Sequence, residues 1–176
     1  MRRLAASLGA REVVTVGPPG FEEVRARVTQ DGQLVELGVQ RSAGVLARAE
    51  FVVGHAPAEE PPPLSLHRRG APRLGRRDGR EIETGDTAFD ALFSTWDARR
   101  LAGPDPLLDD ATRTQLREVV DGWLAVWPGR GARFRTVGPR LFALLVDESA
   151  AGDEAVRAVA ALLVEIQRRD GSTIAD

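Results

Sequence analysis

Six arginines fall within the segment His67–Arg80: Arg68, Arg69, Arg73, Arg76, Arg77 and Arg80, against one aspartate, Asp78. A guanidinium is permanently charged and offers paired donors. Such a cluster therefore suits phosphate, a carboxylate or another anion. The competing reading is a solvated loop whose charge keeps the chain soluble. No aromatic residue interleaves with these arginines, as stacking on single-stranded nucleic acid would require. By simple counting the segment carries +5. The whole chain carries −2, which leaves −7 on the remainder.

Asp86, Asp90 and Asp97 form a second set. Carboxylates on neighbouring strand positions can do acid–base work or hold a divalent cation. Their spacing argues against this: Asp86 and Asp90 are an even number apart, whereas Asp90 and Asp97 are not. Asp86 is expected to close a turn with Gly85, and Asp90 to pair with an arginine. His55 and His67 are the only histidines, and they flank a proline run. Glu59 and Glu60 lie between them without a recognisable ligand spacing. Ser94 lacks the glycines of a nucleophile elbow. Gly17-Pro-Pro-Gly20 and Gly129-Arg-Gly131 are turns, not phosphate cradles.

Composition removes whole classes of chemistry. The 176 residues contain no cysteine, no lysine and no tyrosine. That excludes thiol catalysis, disulfides, cysteine-ligated metals, Schiff-base lysines and a P-loop lysine. A near-neutral balance of 24 basic and 26 acidic residues argues against a globally basic nucleic-acid binder. The longest apolar runs, Leu141–Val146 and Ala158–Val164, are far short of the roughly 20 residues that span a bilayer. Met1-Arg-Arg followed by Leu4–Ala10 imitates the start of a signal peptide, but Arg11-Glu12 ends it early. A cytoplasmic protein is expected, with contact at a membrane periphery as the variant.

The elements that must position these residues fall into three zones of a single domain, residues 1–176. Residues 11–56 read as strands. Val13–Val16 is β-branched, Val24, Ala26 and Val28 alternate with charges, and Asp31-Gly32 suits a tight hairpin turn. Gln33–Gln40 and Val45–Val53 continue the meander. Residues 55–87 are polar and irregular: Pro57–Pro63 runs extended, Leu64–Leu66 is a short strand, and the arginine segment is a loop. From 88 onward strands and helices mix. Phe89–Trp96 reads as a strand on its aromatic and β-branched content. Residues 110–127 read as a helix, with Leu116, Val119, Val120, Trp123 and Trp127 on one face. Asp109, Asp110 or Thr112 would cap it and Pro128-Gly129 would end it. Ala132–Val137 and Arg140–Val146 suggest a hairpin across Gly138-Pro139. Residues 153–169 read as a second helix with Val156, Val159, Leu163 and Ile166 buried, and Arg168-Arg169 at its negative end. The expected fold class is α+β: a mostly antiparallel sheet with two main helices on one face.

Gly85-Asp86-Thr-Ala-Phe89-Asp90-Ala-Leu-Phe93, with Leu107-Leu108-Asp109 leading into a helix, resembles a known pattern. It is found in uncharacterised bacterial proteins, commonly membrane-associated, with a soluble C-terminal domain of unknown function. The resemblance covers residues 80–170. It implies a strand over 88–96, a helix after the Leu-Leu step, then a β pair and a C-terminal helix. Asp109 stands where that pattern has threonine, and the transmembrane hairpin is missing from this sequence. No activity attaches to the pattern.

Function is therefore expected to lie in a non-catalytic interaction or accessory domain, with Arg68–Arg80 as its anionic contact and no cofactor or metal. A protein partner is favoured, then an anionic lipid or phosphate ligand; nucleic acid is disfavoured. The alternatives are a hydrolase or metal-assisted enzyme built from Asp86, Asp90 and a histidine, and a peripheral module binding anionic membrane or nucleic acid.

Overall fold

A computed structural model describes residues 12–16, 21–42, 45–57, 60–71, 78–99, 105–118, 122–136 and 150–171. The β-branched and alternating sequence of the first zone forms four strands, β1 (Glu12–Val16), β2 (Phe21–Gln30), β3 (Gln33–Ser42) and β4 (Val45–Gly54). Asp31 and Gly32 both adopt positive φ, 48° and 79°, so the turn twists with its strands as a two-residue hairpin needs. Val28, Val35, Leu37, Val39, Phe51 and Val53 all point to one buried face, as their alternation predicts.

The remaining strands are β5 (Leu64–Arg68), β6 (Arg80–Ile82), β7 (Phe93–Asp97), β8 (Trp123–Trp127) and β9 (Gly131–Thr136). All nine make one sheet in the order β1-β2-β3-β4-β9-β8-β5-β7-β6. Every pairing is antiparallel. Among the described residues the helices are α1 (Thr87–Leu92), α2 (Asp110–Glu118) and α3 (Ala150–Gly171), with a 3-10 turn at Pro106–Leu108. They share one hydrophobic core with the sheet, in which Leu37, Phe51, Phe89, Leu108, Leu116 and Leu163 are fully buried. This is the α+β architecture that the sequence predicts.

Three expectations are corrected. Phe89–Trp96 is not one strand: α1 ends at Leu92 and β7 begins at Phe93. The Asp86 carboxylate accepts a hydrogen bond from the Phe89 amide at 3.0 Å and starts the helix. Phe89 and Phe93 then stack at 4.7 Å, the i, i+4 contact that one turn of helix supplies. Residues 110–127 are not one helix either. α2 stops at Glu118, and Trp123–Trp127 is β8, buried along its whole length. Val119, Val120 and Asp121 lie outside the described residues. Finally, β9 pairs with β4 on one side and β8 on the other, so neither edge is open to Arg140–Val146. Those residues also lie outside the described part, as do the Gly17–Gly20 turn and the Gly138-Pro139 step. The C-terminal helix agrees with expectation, beginning three residues earlier, with Val156, Val159, Leu163 and Ile166 all buried.

Candidate functional site

The arginine segment leaves β5 and returns as β6, and these two strands flank β7. Arg68 lies opposite Phe93 at one end of β7, and Arg80 lies opposite Asp97 at the other. The two described ends of the segment therefore lie at opposite ends of β7. These two roots are built firmly. The Arg68 guanidinium sits over the Phe93 ring, 5.4 Å from the centroid. Arg69 donates through Nε to the Asp90 carbonyl at 2.9 Å and through Nη2 to Glu81 Oε1 at 2.8 Å. Glu81 Oε1 also accepts from Ser94 Oγ, which in turn accepts from Trp96 Nε1, each at 2.8 Å. At the far root, Gly79 has φ +83°, and a Cβ there would lie 2.2 Å from the Asp97 carbonyl oxygen. Only glycine permits this approach. Arg73, Arg76 and Arg77 lie outside the described residues.

The carboxylates of the second set are each committed locally, and the roles expected of Asp86 and Asp90 are exchanged. Asp86 caps α1 and pairs with Arg113 Nε at 3.4 Å and Arg117 Nη1 at 3.8 Å. The Phe89 amide, and after it Arg117 and Arg113, holds its carboxyl below the ordinary aspartate value. Asp90 turns to backbone: it accepts from the Thr84 amide at 3.1 Å, Thr84 Oγ1 at 3.0 Å and the Gly85 amide at 3.2 Å. Asp97 is buried and accepts from Arg99 through its amide at 2.7 Å and its guanidinium at 3.0 Å and 3.1 Å. Arg99 also bonds Asp105, which is buried and caps the 3-10 turn through the Leu107 amide.

His67 is buried on β5, opposite Ser94, with its ring 6.1 Å from that of Trp123. His55 is exposed at the end of β4. The hydrogen bonds and ion pairs of Asp86 and Asp90 given above go to backbone, threonine and arginine, none of them to a histidine. Among the described residues no three histidine, aspartate or glutamate side chains gather as a metal site would require. No helix among them is long and apolar enough to cross a membrane.

A groove that the sequence did not announce lies between α2 and α3, below the tip of the β2–β3 hairpin. Its volume is about 470 Å³, and Asp31, Gln115, Glu118, Ala158, Ala161 and Leu162 are among its lining residues. On the α3 side Ala158 and Ala161 line it beside Val159 and Leu162. Periodicity marks the buried stripe of a helix readily. The alanines at 158 and 161 were the only signal of a hollow on its flank.

The chain matches no protein-family model, no curated protein and no solved structure.

Proposed function

We propose that this chain is a non-catalytic interaction domain that contacts an acidic protein surface through its arginine-rich segment. The observation carrying this reading is the way the segment is rooted: a stretch with five net positive charges is fastened at opposite ends of β7, by Arg68 and Arg69 at one end and Gly79 and Arg80 at the other. Fixed roots reduce the ordering cost when such a segment meets its partner. The chemistry is that of guanidinium on carboxylate or phosphate.

Retention on heparin or phosphate resin tests the reading. Arg76→Ala with Arg77→Ala should elute at clearly lower salt than the unaltered chain. Arg25→Ala with Arg27→Ala removes the same charge from exposed positions on β2 and should shift elution much less. Equal shifts for the two pairs, or none for the first, would reject the segment's role.

A further inference from the structure

The groove between α2 and α3 has an unbalanced rim. Arg168 and Arg169 both reach it, but both are spent. Glu165 takes Arg168, and it takes Arg169 Nε at 2.7 Å. Arg169 also holds Asp109 at 2.6 Å and donates to Thr112 Oγ1 at 2.9 Å. Asp31 at the hairpin tip and Glu118 at the end of α2, by contrast, make no hydrogen bond or ion pair with any of the described residues. The uncompensated charge at the groove is therefore negative, above a floor of Ala158, Ala161 and Leu162. A ligand that answers both features carries guanidinium groups on either side of one aliphatic side chain.

This chain itself contains such a stretch. Leu74 stands between Arg73 and the pair Arg76 and Arg77, within a segment whose +5 faces −7 on the rest of the molecule. We propose that the groove receives the arginine-rich segment of a second copy of this chain. The proposal rests on the reading of that segment as an anion contact and names its partner. Segment and groove are different surfaces, so the association is head-to-tail. It closes into a ring only if the rotation between copies permits, and otherwise grows with concentration.

Two measurements test it. In the first, a labelled peptide of residues 68–80 is titrated with the full chain and followed by fluorescence anisotropy. Saturable binding is expected, weakened roughly fivefold or more by Asp31→Asn with Glu118→Gln, as loss of two solvent-facing ion pairs implies. Asparagine tolerates the positive φ at position 31, and Glu118 is exposed, so the double variant keeps the fold. Glu23→Gln with Glu36→Gln, a charge-matched change on β2 and β3, should leave binding unaltered.

In the second, sedimentation velocity follows mass against concentration. The unaltered chain should gain mass as it is concentrated, and less so in high salt. Arg76→Ala with Arg77→Ala, and Asp31→Asn with Glu118→Gln, should each remain monomeric alone. Mixed together they should form a one-to-one complex, because one retains the groove and the other the segment. A chain that stays monomeric at every concentration, a mixture that does not associate, or a peptide indifferent to Asp31 and Glu118 overturns the proposal. If heparin retention still depends on Arg76 and Arg77 in that case, the anion-contact reading stands and only the second copy as partner is lost.

Discussion

Asp109 serves two elements at once. Its Oδ1 accepts from the Thr112 amide at 2.9 Å and caps α2, while its Oδ2 takes Arg169 from the last turns of α3 at 2.6 Å. The Thr112 amide first, and Arg169 after it, bring the carboxyl down to about 2 from an ordinary 3.8. A depressed aspartate pKa means that the unfolded chain takes up a proton first as pH falls. The stabilisation is complete above pH 3.8 and is lost as pH drops towards 2. Asp109→Ala should cost about 1 kcal/mol at pH 7, the usual worth of an N-cap. Asp109→Asn should keep most of the cap and lose the ion pair. Urea denaturation at pH 7 and across pH 2 to 4 checks both, and both variants should show a flatter acid limb than the unaltered chain. Asp109 is recognisable in the sequence as one of three cap candidates, and Arg169 as a cation suited to a helix end. Their meeting is not recognisable, because the two residues lie sixty apart in the chain and meet only through the packing of two helices. The candidate site divides in the same way. Its charge can be counted from residues 68–80, but Glu81 and Asp90 as the partners of Arg69 follow only from the strand order.

The meander from β1 to β4 was legible because alternation and a two-residue Asp-Gly turn agree. Between 110 and 127 the signals conflict. Leu116, Val119, Val120, Trp123 and Trp127 fit a helical stripe, yet Trp123 and Trp127 are also four apart on one face of a strand. Gly122 precedes β8, and packing shows why glycine stands there. A Cβ on Gly122 would lie 2.6 Å from both the Arg135 carbonyl oxygen and the Phe134 ring. Long-range contact with β9 thus decides an ambiguity that local spacing leaves open. Gly79 and Gly32 separate backbone conformation from crowding. Both have positive φ, but a Cβ on Gly32 meets nothing within 4 Å, whereas on Gly79 it strikes the end of β7. Gly32→Ala should cost about 1 kcal/mol, the ordinary penalty for alanine at a turn glycine. Gly79→Ala should cost about 2 kcal/mol or more, because β6 must shift as well. Comparable urea midpoints for the two variants would mean that β6 moves freely, and the arginine segment would then lose its fixed root.

The sheet ties distant parts of the chain together. β4 pairs residues 49–54 with 131–136, and β5 pairs residues 64–67 with 123–126, so the N-terminal meander and the later strands share their central pairings. Across one face lies α3, with Leu163 fully buried among β-sheet residues from both halves. On the other face lie Trp123 and Trp127, buried with Ala56 and Ala125 in a second, smaller cluster. The two faces therefore carry separate reporters: α3 for helical circular dichroism, and the β8 tryptophans for fluorescence. If the molecule is one cooperative unit, a lesion under α3 must be felt by both equally. Leu163→Ala removes a fully buried side chain and should cost about 2–5 kcal/mol. Fluorescence and far-ultraviolet circular dichroism should still give coincident urea transitions, both moved to lower urea by the same amount. Transitions that separate, with the tryptophans unfolding later than the helix, would mean that the sheet keeps its own stability without α3. The groove between α2 and α3 would then belong to an element able to leave while the arginine segment stayed in place.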